Sequence, residues 1–135
     1  MAVSLEPLVS GAAQARVLTL SAPISFWGGV DPKTGDVIDA RHPDRGANIS
    51  GLILGLPGTI GSSSASSVLL ELVRVGKAPA AILIAEPDAI LLLGLIVARE
   101  MGWATPPAFK CPAPLLREWQ GQEMSIAETG AITLL

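Results

Sequence analysis

The run Gly61-Ser62-Ser63-Ser64 holds the chain's densest set of chemically useful side chains. It follows the apolar segment Ser50 to Leu56 and the turn-forming Pro57-Gly58, and it precedes a segment with helical spacing. A loop between a buried strand and a helix directs several backbone N–H groups and the positive end of the helix dipole at one spot. That arrangement attracts an anion. Serine hydroxyls placed there can cap the helix, bind a carboxylate, or act as nucleophile or base. Ordinary capping within a flexible Ser/Gly loop accounts for the same residues, so both readings stand at this level.

Three familiar motifs do not fit the loop. A Walker loop needs a lysine after its last glycine, but Ser62 follows Gly61, and Leu56 occupies the first glycine position. Gly55, Gly58 and Gly61 are evenly spaced, unlike the dinucleotide fingerprint. A nucleophile elbow centred on Ser63 would end on a glycine, where Ala65 stands, and His42 precedes the serines instead of following them. With one cysteine and one histidine, the chain cannot supply a zinc or iron–sulfur ligand set, so no metal site is expected in it. Lys110 would lower the pKa of the adjacent Cys111, although a lone cysteine is ordinarily a small buried hydrophobe. Asp31, Asp36 and Asp39 read as a solvated turn, and Phe26-Trp27 as core. Arg41, His42 and Arg45 share a polar loop and are candidates for a mobile rim of a site, with His42 solvated or hydrogen-bonding rather than ligating.

The elements that would position the serine loop follow from the surrounding pattern. Residues 1–11 read as a loosely structured start, 15–20 as a strand, and 24–30 as a second extended piece. Asp31-Pro32-Lys33-Thr34-Gly35 is a turn, with 36–39 returning as the other arm of a hairpin and 41–48 as a polar loop. Residues 50–56 form an apolar strand, and the helix after the serines runs to about Val75 with Gly76 as its cap. Residues 80–85 are a second buried strand, and Pro87, in the first turn, with Asp88 opens a second helix that ends before Gly102. Strand, helix, strand, helix predicts a parallel pair with a right-handed crossover. Beyond Trp103 a Pro-rich tail finishes in a hairpin from Ser125 to Leu134, turning at Thr129-Gly130. The expectation is one α+β domain over residues 1–135, β-rich at its N-terminal end and built on a βαβα core.

Composition narrows the function. Of 135 residues, 50% are hydrophobic and only 16% charged, with a mean hydropathy of +0.52. Such a chain is not intrinsically disordered, which would require low hydrophobicity and high charge. A net charge of −3 and no basic stripe argue against nucleic acid. The most apolar stretch, Ala78 to Ala98, is interrupted by Glu86-Pro87-Asp88, and what remains is shorter than a membrane span. No secretory signal is visible, and a single cysteine suits the cytoplasm. The apolar excess is compatible with a surface covered in part by a partner.

Three separated motifs carry a resemblance. Phe26-Trp27-Gly28-Gly29-Val30-Asp31-Pro32, Gly61-Ser62-Ser63-Ser64 and Gly76-Lys77-Ala78-Pro79-Ala80-Ala81-Ile82 are similar, in order, to the small subunit of aconitase X. The resemblance runs from about Ala15 to Trp103 and implies the swivelling β/β/α domain of the aconitase superfamily. It also implies a hydro-lyase of two chains, a heterodimer or higher, acting on a small molecule. The large subunit would carry an iron–sulfur cluster or iron, and the isolated small subunit would expose a hydrophobic patch near Gly61 to Ser64. By position, Ser62 matches the serine base that removes the carbon-bound proton, Gly61 opens the substrate-binding loop, and Ser63 matches its neighbour in the pocket. Ser64 stands where aconitase has a carboxylate-clamping arginine, which argues against a tricarboxylate substrate. Bacterial members dehydrate cis-3-hydroxy-L-proline to Δ1-pyrroline-2-carboxylate, and archaeal members dehydrate a phosphorylated mevalonate. Trp27 and the continuation Ser64-Ala65-Ser66 resemble the bacterial forms, so hydroxyproline leads. A phosphomevalonate dehydratase subunit and a non-catalytic swivelling module are the alternatives.

Overall fold

The computed structural model describes residues 3–135. The elements are β1 (Glu6–Val9), β2 (Ala13–Thr19), the single turn α1 (Phe26–Gly29), β3 (Ile53–Leu56), α2 (Ala65–Arg74), β4 (Ala81–Ile84), α3 (Ala89–Glu100), β5 (Ala108–Lys110), α4 (Ala113–Glu118), β6 (Glu123–Ile126) and β7 (Ile132–Leu134). The strands form one mixed sheet in the order β1-β5-β4-β3-β2-β6-β7. Neighbours from β2 through β5 are parallel, whereas β1, β6 and β7 pair antiparallel at the flanks. The expected strand–helix–strand–helix core is present as β3-α2-β4-α3.

Every residue of β3 and of β4 is buried. Their continuous apolar runs are what a parallel strand covered on both faces requires. Alternation along these strands divides the interior into two layers. Leu54, Leu56, Ile82 and Ile84 face Leu69 and Leu72 of α2 and Leu91 and Leu95 of α3. Ile53, Ala81 and Leu83 face the other way, toward Phe109, Leu116, Trp119 and Met124.

The sheet curls into a half-barrel whose flanks meet. Ser4 bridges Ala131 antiparallel, and the Leu5 N–H donates to the Gly130 carbonyl at 2.8 Å. Gly130 has φ +90°, and a Cβ there would lie 1.9 Å from the Leu5 carbonyl oxygen. Only glycine permits that approach.

Several expectations need correction. Of the expected loose start, residues 1–2 lie outside the described residues, and residues 3–11 are not loose, because β1 pairs with β5 across the sequence. The segment around Phe26 is a turn and not an extended arm, because Gly28 takes φ +79° and reverses the chain. Extended pairing survives there only as the isolated bridges Ile24–Thr59 and Val30–Val37. Phe26 is core as expected, but Trp27 is 60% exposed, since the same turn swings it outward. The β3 strand begins at Ile53, after a turn at 50–52. Pro87 precedes the helix cap Asp88 and so lies outside the first turn. The Pro-rich tail contains β5 and α4 ahead of the expected hairpin, with Pro114 accommodated in the first turn of α4. Among the described residues, no helix is long and apolar enough to cross a membrane.

Candidate active site

The loops leaving β3 and β4 lie at the C-terminal ends of adjacent parallel strands, where open α/β sheets bind ligands. Residues 57–64 connect β3 to α2, and residues 85–88 connect β4 to α3. Asp88 ties the two loops together. One carboxylate oxygen accepts from the Ile90 and Leu91 N–H groups at 2.9 and 3.2 Å and so caps α3. The other accepts from the Thr59 hydroxyl at 2.7 Å. Thr59 is in turn bridged to Ile24, and the Ile60 N–H donates to the Ile24 carbonyl at 3.0 Å, which fixes the loop against the segment before α1.

The serines follow this anchored stretch. Ser64 is the N-cap of α2, yet its hydroxyl makes no capping bond. The Ser64 N–H instead donates to the Ser62 Oγ at 3.2 Å, and the Ala65 N–H donates to the Ser62 carbonyl at 3.1 Å. The first turn is thus held by Ser62, and the Ser62 oxygen sits at the positive end of α2 with a backbone donor on it. Ser62 and Ser64 are half-buried, while Gly61 and Ser63 are exposed. Among the described residues, the N–H groups of Gly61, Ser62 and Ser63 meet no acceptor. The Ser67 hydroxyl closes the turn by donating to the Ser64 carbonyl at 2.7 Å.

Gly94 of α3 lets the two helices meet at this turn. A Cβ on it would lie 2.6 Å from the Ser66 carbonyl oxygen. The α3 helix therefore presses backbone to backbone on the first turn of α2. A lone glycine in an otherwise apolar helix was the available sequence signal for such a contact.

A cleft of about 410 Å³ opens beside the loop, lined by Thr59, Gly61, Glu86, Pro87, Asp88, Ala89 and Ile90. Its charged lining is two carboxylates, and no lysine or arginine contributes. Glu86 is exposed, whereas Asp88 is half-buried and already bonded. Ile60 and Ile90 are 56% and 45% exposed, which gives the hydrophobic patch expected near the serines.

Arg41, His42 and Arg45 are not brought to this cleft. His42 is buried, its Nε2 donating to the Ala22 carbonyl at 2.9 Å while Nδ1 accepts from the Asp44 N–H at 3.0 Å. The loop is pinned by that ring and by Asp44, which accepts from the Ser21 N–H and hydroxyl. It is an anchor and not a mobile rim. Cys111 is buried, and loss of solvent pushes its thiol up from 9.0 to about 12. Burial outweighs the neighbouring Lys110, and the thiol stays neutral. No three of His, Cys, Asp and Glu gather into a metal-binding set among the described residues. The chain's own side chains therefore do not fit an iron centre.

Comparison with known proteins identifies the chain's relatives. The family described as the aconitase X swivel domain matches residues 2–134. A cis-3-hydroxy-L-proline dehydratase from Pseudomonas aeruginosa is 53% identical over 94 residues, which are 70% of this chain and 16% of that protein. The chain thus matches about a sixth of that relative's length. A phosphomevalonate dehydratase small subunit from Methanopyrus kandleri is 43% identical over 97 residues, 70% of this chain and 72% of that one. The crystal structure of the holo form of Thermococcus kodakaraensis aconitase X superposes with a TM-score of 0.86 at 31% identity, covering 100% of this chain and 98% of that chain.

Proposed function

Because this chain belongs to the aconitase X swivel-domain family, we propose that it is the small subunit of a two-chain hydro-lyase that dehydrates cis-3-hydroxy-L-proline. The observation that carries the reading is the Ser64 N–H on the Ser62 Oγ at the N-terminus of α2. A serine hydroxyl is a poor base until its alkoxide is stabilised, and a backbone donor plus a helix dipole supply that stabilisation. Closure by a partner chain would exclude water and strengthen both.

In this mechanism the Ser62 oxygen removes the proton from the substrate carbon that bears the carboxylate. The free N–H groups from Gly61 to Ser63 hold that carboxylate, and the hydroxyls of Ser63 and Ser64 complete the pocket. The neighbouring hydroxyl then departs, taking up the proton that Ser62 gave up on ionising so that it leaves as water, and the resulting enamine tautomerises to Δ1-pyrroline-2-carboxylate. An iron–sulfur cluster or iron on the large subunit belongs to the same proposal and supplies Lewis acidity. No step assigned to this chain depends on it. The acidic lining of the cleft supports the choice of substrate. Glu86 and Asp88 suit the ring ammonium of a hydroxyproline and repel a phosphate. The 53% identity to a protein named for that reaction points the same way.

A second reading, a phosphomevalonate dehydratase small subunit, is favoured by one observation. The Methanopyrus kandleri relative is itself a small subunit, 72% of which is matched, and a helix N-terminus also suits phosphate.

Reconstitution with the large subunit tests both. Ser62→Ala is expected to lower kcat on cis-3-hydroxy-L-proline about 10²- to 10⁴-fold with the complex still formed. Full activity in that variant removes Ser62 from the role of base. Turnover of a phosphorylated mevalonate instead selects the second reading, and turnover of neither leaves a binding module.

A further inference from the structure

Resting on the two-chain reading, we infer that the outward side of α3, the line Ile90, Leu93 and Ile96, is the surface on which the large subunit docks. Residues 89–98 contain no charge. Leu91, Leu95 and Ala98 are buried in the layer shared with α2, as that packing requires. Ile90, Leu93 and Ile96, spaced by three along the other side, are 45%, 49% and 49% exposed. A surface helix normally turns polar residues outward, whereas a helix apolar all round belongs inside a larger body. The neighbouring α2 shows the ordinary pattern, with Ser67 and Arg74 exposed.

Two observations identify the occupant. The segment matching this chain is only 16% of the Pseudomonas aeruginosa relative. In that protein a much larger body of chain is available to cover the face, and in a two-chain form that body is the large subunit. The line also starts at the candidate active site. Ile90 lines the serine-loop cleft beside Gly61, and Ile96 borders a second groove with Leu8 and Arg99. A partner completing the catalytic pocket over Gly61 therefore continues directly onto Leu93 and Ile96.

The experiment measures binding of the full chain to its large subunit, with Leu93→Asp and Ile96→Asp as separate variants and Thr133→Asp on exposed β7 as a control. Each aspartate on α3 is expected to weaken Kd at least about 30-fold. The thermal midpoint of the isolated chain and the affinity of the control stay unchanged. Binding within about threefold of wild type in both α3 variants overturns the assignment while leaving the two-chain reading intact. A wild-type chain that forms no complex overturns the two-chain reading itself. A wild-type homodimer that Leu93→Asp converts to monomer assigns the face to a second copy and also overturns the proposal.

Discussion

On the side of the sheet that carries α4, polar groups hold the chain to itself. The Thr19 hydroxyl donates to the Leu116 carbonyl at 2.6 Å, and the Gln120 side chain accepts from the Thr19 N–H. On the side that carries α2 and α3, the N–H groups of Gly61, Ser62 and Ser63 and the hydroxyls of Ser63 and Ser64 have no partners among the described residues. The apolar layers beneath are alike, because β3 and β4 send alternate residues to each. The difference lies in the connections. Short antiparallel links and α4 close one side. The parallel crossovers on the other end each strand in a loop facing a helix N-terminus. Stability is thus expected from both layers, and chemistry from one.

The sharpest way to break that division is to damage the closed side and watch the open one. Phe109→Ala, at a fully buried position, is expected to cost about 3–5 kcal/mol in urea unfolding. Activity per folded complex should remain at the wild-type level. A matching loss of kcat would mean that the two sides are not separable.

A smaller effect is expected from Gly94→Ala. Its new Cβ would stand 2.6 Å from the Ser66 carbonyl oxygen, so α3 must move off the first turn of α2. Displacing the serine loop is expected to reduce kcat about 10- to 100-fold, since misplacement by an ångström is costly in a preorganised site. Stability should change by less than for Phe109→Ala, because alanine favours the helix by about 1 kcal/mol. Retention of full activity would show that the α2–α3 contact does not position the serines.

The smallest effect concerns pH. Cys111 ionises near 9.0 in an unfolded chain and near 12 when buried. Its neutral thiol therefore adds stability in full below pH 9, and that contribution fades as pH rises from 9 to 12. Urea midpoints measured from pH 8 to 11 should fall more steeply for wild type than for Cys111→Ala. Equal slopes would place the thiol in contact with solvent.

What could be read from residues alone follows the same boundary. The β3-α2-β4-α3 core was legible because its apolar runs, turn glycines and the Asp88 cap are local signals. The Thr129-Gly130 hairpin was legible for the same reason. β1 and β5 were not: β1 contains Pro7 and pairs about a hundred residues away, as Glu6 with Lys110, and β5 is a three-residue strand after Pro106-Pro107, held between β1 and β4. The turn at Gly28 was hidden by β-favouring neighbours, and a positive φ leaves no mark beyond the glycine itself. At the site, the serine loop was evident from composition and spacing. The Asp88–Thr59 bond and the Gly94–Ser66 contact were not, because each joins segments 28 or more residues apart. His42 looked like a rim residue because its loop is polar; its burial depends on Ala22, twenty positions earlier.

The pairing of Ser4 with Ala131 has a consequence for how this unit is joined to other chains. A polypeptide entering at one of these residues and leaving at the other would touch the half-barrel at a single place on its rim. Such a unit can be spliced into a host protein, permuted, or released as a separate chain with little disturbance to either partner. The same fold can therefore serve as an inserted cassette or as an independent subunit.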